Sequence, residues 1–251
     1  MKFYCGILCL LLSTFLVFSC APKRIPVERP PEVVWQDFWE QSSSFQEDQE
    51  FYIQTSVNYS TPDQQRRVQA AIWGFAGYPV RMDISAGFGQ TVSMWLEDEL
   101  RWQAYNPGEN TRYIHHDGSR GATLLGFPTP MGLRETSLVL LGDFQHLVPR
   151  EYHRVESHEN MWKYYFEDEN ITSVVLEQDG SLNMIKGDGW HVEFKGIEQE
   201  NDLFYFSRLD MHLSEDKEAV IRIRSVDVDR TWDQEQMSLD PPDGTRTIFL
   251  H

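Results

Sequence analysis

From residue 51 to residue 115, apolar and polar side chains alternate in short runs, and each run is ended by a turn signal. Successive side chains of a β-strand point to opposite faces, so such a run reads as a strand with one buried face. Phe51-Ile53-Thr55-Val57 opens the series, followed by Val68 to Phe75. Val80, Met82 and Ile84 alternate with Arg81, Asp83 and Ser85; Val92, Met94 and Leu96 follow, then Leu100, Trp102 and Ala104, then Arg112 to His115. Thr61-Pro62-Asp63, Gly77-Tyr78-Pro79, Gly87-Phe88-Gly89, Asn106-Pro107-Gly108 and Asp117-Gly118 separate the runs. Connections this short join antiparallel neighbours, so the segment predicts a meander.

Residues 119–147 leave that pattern: Leu124, Leu125 and Phe127 precede Pro128 and Pro130, and Leu133 to Leu141 has helical spacing up to Gly142. Strands resume at Trp162–Phe166, Ile171–Leu176, Leu182–Ile185, Trp190–Phe194, Leu209–Leu213 and Val220–Val228, the last with a phase slip at Ser225 that predicts a bulge. Ahead of the meander, Val34 to Phe45 carries Val34, Trp35, Phe38 and Trp39 at helical spacing. The expected fold is mainly β with α: a curved antiparallel sheet of about ten or eleven strands covered by a few helices. A sheet that wide curls. Its concave side then encloses either an apolar cavity or a filled core, and alternation is compatible with both.

The N-terminus has a different character. After Met1-Lys2, Phe3 to Phe18 is an apolar run of 16 residues, short of the roughly 20 of a spanning helix. Val17-Phe18-Ser19-Cys20 resembles a bacterial lipobox, which implies a signal peptide over 1–19 and acylation of Cys20. Two or more acyl chains anchor a protein stably where one does not. Ala21 follows the cysteine, and by the same resemblance it directs the protein to the periplasmic face of the outer membrane. Residues 20–33, with Pro22, Pro26, Pro30 and Pro31, read as an extended tether of at most about 40 Å. The folded domain is expected over 34–251, with a tail from about residue 227 that has no assigned place.

Charge narrows the partners. The chain carries 22 Lys and Arg against 39 Asp and Glu, a net −17, which disfavours nucleic acid and electrostatic adsorption to anionic membranes. Of the three cysteines, Cys5 and Cys9 lie in the apolar run, leaving no internal disulfide after cleavage. No nucleophile elbow, zinc-protease, phosphate-loop or dinucleotide motif occurs. His115-His116-Asp117 is a poor ligand set, because neighbours in a strand face apart, and His146, His153 and His158 lack ligand spacing. The expectation is a protein that is not an enzyme, with no cofactor and no metal.

Two stretches resemble the LolA/LolB family of lipoprotein carriers and receptors. Leu125-Gly126-Phe127-Pro128-Thr129-Pro130-Met131, running into Leu133-Arg134 and Leu140-Leu141-Gly142, is similar to the family's TGMPIPL…LR…LGLP segment. Gly87-Phe88-Gly89-Gln90-Thr91 is similar to its PLGQT turn. The resemblance covers about residues 34–200. It implies a half-barrel whose interior takes the acyl chains of lipoproteins from a periplasmic LolA-like carrier and a receptor that passes them into outer-membrane lipid. It also implies a membrane-inserting tip at Phe88, where the family has leucine, flanked by Gly87 and Gly89. From alternation, Val80, Met82, Ile84, Val92, Met94, Leu138 and Leu141 are the candidate cavity residues, plain core being the competing reading. An envelope lipoprotein that holds lipid or hydrophobic peptide as a sensor, or serves structurally, is the alternative function.

Overall fold

The computed structural model describes residues 29–87, 89–127, 131–167, 170–200, 203–214, 216–233 and 235–251. Phe88 and residues 1–28, which hold the expected signal peptide, Cys20 and most of the tether, lie outside them. Among the described residues no helix is long and apolar enough to cross a membrane.

Fourteen strands form one open, curved sheet that does not close into a barrel. In chain order they are β1 (Glu50–Thr61), β2 (Gln64–Phe75), β3 (Val80–Ala86), β4 (Gln90–Glu97), β5 (Trp102–Asn106), β6 (Thr111–His115), β7 (Arg154–His158), β8 (Met161–Tyr165), β9 (Ser173–Leu176), β10 (Leu182–Gly187), β11 (Trp190–Glu200), β12 (Leu203–Ser214), β13 (Lys217–Asp227) and β14 (Arg246–Phe249). Two meanders run away from a central β1–β13 pair, giving the order β14-β6-β5-β4-β3-β2-β1-β13-β12-β11-β10-β9-β8-β7. All neighbours are antiparallel except β14, which adds to β6 in parallel. The expected bulge sits on β13: Gln54 faces Ser225 while Thr55 faces Ile223, so Arg224 is the extra residue.

The concave face carries the core. Phe51, Ile53, Val57, Ala70, Ile72, Val80, Met82, Trp95 and Trp102 come from one half, and Val174, Leu176, Val192, Phe194, Leu209, Met211 and Ile221 from the other. Helix α1 (Pro31–Gln41) covers the β8–β10 side with Val34, Trp35 and Phe38. It starts three residues before the first apolar residue of the periodic stretch, because Pro31 is already pre-set for a first helical turn. Arg29 is docked too: its backbone N–H donates to Gln178 and its guanidinium pairs with Asp37 at 2.7 Å. The free length of any tether therefore ends before Arg29. Helices α2 (Gly118–Leu124) and α3 (Leu133–Leu140) cover β3 to β6.

The tail also has a place. Residues 228–233 and 235–245 cross the convex face as a strap. Trp232 packs on Tyr52 and Trp73, and Arg81 donates to the carbonyls of Gln236 and Ser238. Leu239 then closes a small cluster with Met94, Leu96 and Tyr105 before β14 joins the sheet edge. The opposite edge, β7, is short and largely exposed, with Arg154 and Glu156 ion-paired, the charged ending that discourages further strand pairing.

Candidate functional site: a cavity under the curl of the sheet

The β7–β10 half of the concave face is filled by α1 and its aromatic cluster. The other half leaves a cavity of about 540 Å³. Its floor is the concave side of β1 to β6, and its roof is the Leu125-Gly126-Phe127 connection between α2 and α3. Val57, Val68, Ala70, Ile84, Trp95 and Phe127 line its apolar depth. The Trp95 and Phe127 rings meet with centroids 4.8 Å apart, and the Trp95 indole N–H is satisfied by Ser93 Oγ at 2.7 Å. The depth therefore exposes hydrocarbon without an unpaired indole donor.

Polar groups collect at the rim. Gln64, Arg66, Asn106 and Glu109 sit at or beside the tips of the β1–β2 and β5–β6 hairpins. The Tyr113 hydroxyl donates to Glu109 at 2.9 Å, and this bond, with burial, raises the tyrosine's pKa. The β3–β4 turn is at the same end of the sheet, since alternate hairpins of a meander point the same way. Its two glycines take positive φ, +57° at Gly87 and +90° at Gly89, and neither has a neighbouring atom where a Cβ would stand. Gly87 and Gly89 thus stand clear of other atoms, at the same end of the sheet as the rim. An apolar well with one polar margin suits an amphiphile with a hydrocarbon tail and a polar or charged head.

Of the residues expected to line a cavity, Ile84 and Val92 do so. Val80 and Met82 lie further along the same face and are fully packed, as are Leu138 and Leu141 on the buried side of α3 and just past it. Met94 is on the convex face under Leu239. The physical reason is a bulge. Ile84 pairs with Ser93 and Ser85 with Thr91, so Val92 is an inserted residue, and Ser93, Trp95 and Glu97 take the concave side instead of Met94 and Leu96. Phe88 lies outside the described residues. The cavity also uses Tyr59, Arg66, Val68, Ala70, Tyr113 and Phe127, which were not among the expected lining residues. For Tyr59, Val68 and Ala70 a signal existed, since they share the parity of Val57 and Ile72.

One buried acid fastens the roof. Glu97, at the end of β4, is 7% exposed and accepts the backbone N–H groups of Leu133 and Arg134, capping α3 from across the core. Gly118 and Gly132 leave room for its carboxylate; a Cβ at Gly118 would overlap it. Burial pushes the Glu97 pKa up to about 7, against the opposing pull of the two N–H donors. A carboxyl whose pKa is higher folded than unfolded stabilises the fold fully below the unfolded value, near 4.5, and that contribution is lost as pH rises through about 7. Its size is on the order of 3 kcal/mol. Glu97→Gln keeps an acceptor for the helix and cannot ionise. In urea melts at pH 5 and pH 8, the native protein is expected to lose more stability over that interval than the Gln variant. Equal losses contradict the buried cap.

No protein-family model matches the sequence, and no curated protein matches it. Solved structures do resemble it. A LolA superfamily protein from Nitrosomonas europaea superposes with a TM-score of 0.57 at 10% identity, covering 83% of this chain and 97% of that one. This chain has a LolA-like fold. A DUF1329 family protein from Desulfovibrio piger follows with a TM-score of 0.55 at 11% identity over 83% of this chain and 97% of its own. An outer membrane lipoprotein-sorting protein domain from Vibrio parahaemolyticus gives 0.53 at 10% identity, covering 82% of this chain and 94% of that one.

Proposed function

We propose that this protein is an envelope lipoprotein of the lipoprotein-sorting class, anchored in the outer membrane through acylated Cys20. It receives the acyl chains of other lipoproteins from a soluble LolA-like carrier and releases them into the membrane. The single observation that carries the reading is the hydrocarbon-lined cavity with its polar rim, on a fold shared with a lipoprotein-sorting domain. A triacylated protein holds about 45 methylenes, and exposing them to water costs on the order of 36 kcal/mol. Transfer must then run from one apolar shelter to the next, and a downhill order of affinities suffices without covalent chemistry or nucleotide. In this reading Phe88, which Gly87 and Gly89 flank in the sequence, touches the bilayer while the chains leave.

A second reading is favoured by the volume. About 540 Å³ falls in the range of ordinary small-molecule sites, so the cavity as it stands suits one chain better than three. A protein that keeps one lipid and does not pass it on is consistent with that size.

A transfer assay separates the two. Radiolabelled lipoprotein is loaded on the carrier, mixed with the full chain, and challenged with liposomes. The first reading predicts label passing to this protein and then to liposomes, with the second step slowed at least about tenfold by Phe88→Glu, since a charge on the tip opposes membrane entry. Label that stays on the protein supports the holding role. Label that never leaves the carrier contradicts the sorting role.

A further inference from the structure

The convex face of β11 to β13, remote from the cavity floor, brings together a group that neither the fold nor the lipid reading uses. On β11, buried Val192 and Phe194 alternate with outward His191, Glu193 and Lys195. The register sets His191 directly opposite His212 on β12 and Glu193 opposite Asp210. His212 in turn faces Glu218 on β13, with its Nδ1 3.3 Å from the carboxylate. The two imidazoles stack with centroids 4.4 Å apart and planes 16° from parallel. A ring nitrogen of each histidine and a carboxylate oxygen of Glu193 all lie within 4.8 Å of one another.

We propose that His191, Glu193 and His212 form a binding site for a divalent first-row transition metal, zinc being the best fit, with Glu218 available as a fourth ligand. The geometry follows from the sheet. Residues two apart on one strand share a face, and directly opposed residues have Cβ atoms about 5 Å apart, so three donors converge without any loop. Zinc takes imidazole nitrogen and carboxylate oxygen at about 2.0–2.2 Å. Two imidazoles in the set select zinc, copper or nickel over the all-oxygen cations calcium and magnesium.

The surrounding charge is compatible. Burial lowers the His191 pKa, as do His212 and the facing Lys186 of β10, while Glu193 raises it. Lys195 reaches Glu193 at 2.8 Å and Asp210 at 2.7 Å, while Arg208 pairs with Asp210 at 2.6 Å. A bound metal would take Glu193 and leave Lys195 on Asp210, so no carboxylate or ammonium is stranded. The metal would staple three consecutive strands just before the turn between β12 and β13.

The test is a calorimetric titration of the full chain with zinc chloride at pH 7.5 and pH 5.5. One equivalent is expected to bind at pH 7.5, with affinity falling at least about tenfold at pH 5.5 as protons compete for the imidazoles. His191→Ala and His212→Ala should each weaken binding by at least about tenfold, and His116→Ala should leave it unchanged. Cobalt(II) added to the native chain gives a variant-independent readout: intense visible bands of a four-coordinate N/O site. The proposal is overturned by absence of saturable binding, by affinity that survives both histidine variants or drops equally with His116→Ala, or by a cobalt spectrum no stronger than that of the hydrated ion.

Discussion

Trp35→Ala is expected to destabilise the domain by about 3–5 kcal/mol, a large share of the 5–15 kcal/mol that holds a typical domain together. Trp35 is the point where α1 meets the sheet. Its ring lies 4.7 Å from Tyr164, 5.5 Å from Phe38 and Tyr152, 5.7 Å from Trp39 and 5.9 Å from Phe166. Its indole N–H donates to the Arg150 carbonyl at 3.0 Å. Truncation removes one of the largest apolar surfaces in the core and the donor to that carbonyl, and it opens a hole that five neighbouring rings cannot easily fill. Trp35→Phe keeps most of the ring and loses the hydrogen bond, so its cost should be nearer 1 kcal/mol. Denaturant melts of the two variants measure both figures. The loss also reaches the N-terminal segment, because the Tyr164 hydroxyl and the Trp162 indole bond the carbonyls of Pro31 and Arg29. A Trp35→Ala protein that melts with the native one would show that α1 is not part of the cooperative fold.

The second large effect is on binding rather than stability. Ala70→Phe is expected to lower the affinity for a fluorescent fatty acid at least about tenfold while the domain stays folded. Ala70 is buried in β2 at the floor of the cavity, so a ring there enters the void and meets little resistance. Phenylalanine is also well accepted in a strand. Each methylene displaced from shelter costs about 0.8 kcal/mol, and a tenfold change needs fewer than two. Leu138→Ala is the contrasting change. Leu138 is on the buried side of α3 and does not line the cavity, so its loss should cost about 2–5 kcal/mol of stability and leave probe affinity near native. Probe titration and melting of both proteins give a crossed pattern. If Leu138→Ala abolishes binding and Ala70→Phe does not, the ligand lies elsewhere.

Much of the sheet was legible because one buried face writes itself as alternation. Strands β1 to β6 and β8 to β13 carry that signature, and Gly142, at φ +76°, marks the end of α3 as a helix-terminating glycine should. The missed elements lack the signature for identifiable reasons. β7 is an edge strand with four of five residues exposed, and β14 pairs on one side only, so neither has an apolar face to reveal. The dipeptide Asp117-Gly118 reads as a hairpin turn, whereas Asp117 in fact accepts the Arg120 backbone N–H as the cap of α2. In the tail, Trp232 and Leu239 are isolated apolar residues whose partners lie on the outer face of distant strands.

The cavity was less legible than the sheet. Alternation says which residues share a face, and one inserted residue, Val92, reverses that statement for the rest of β4. Nothing in the sequence distinguishes a filled stretch of concave face from an empty one. Met82 and Ile84 have the same parity on β3, yet the first is packed and the second opens on the void. Helix α3 packs against β3, whereas the 125–127 connection bounds the void that Ile84 lines. The histidine pair was hidden similarly, since His191 and His212 meet only once the β11–β12 register is known.

The claim that a hydrocarbon chain is sheltered between the curled sheet and Phe127 is tested most directly by photo-cross-linking. The full chain is equilibrated with a fatty acid carrying a diazirine at the end of its tail, irradiated, and digested for mass spectrometry. The prediction is label on β1 to β4 peptides at Val57, Ala70, Ile84 or Trp95 and on the peptide containing Phe127, competed away by unlabelled fatty acid and lost in Ala70→Phe. Label confined to the convex strap around Trp232, or spread over the surface without competition, would contradict it.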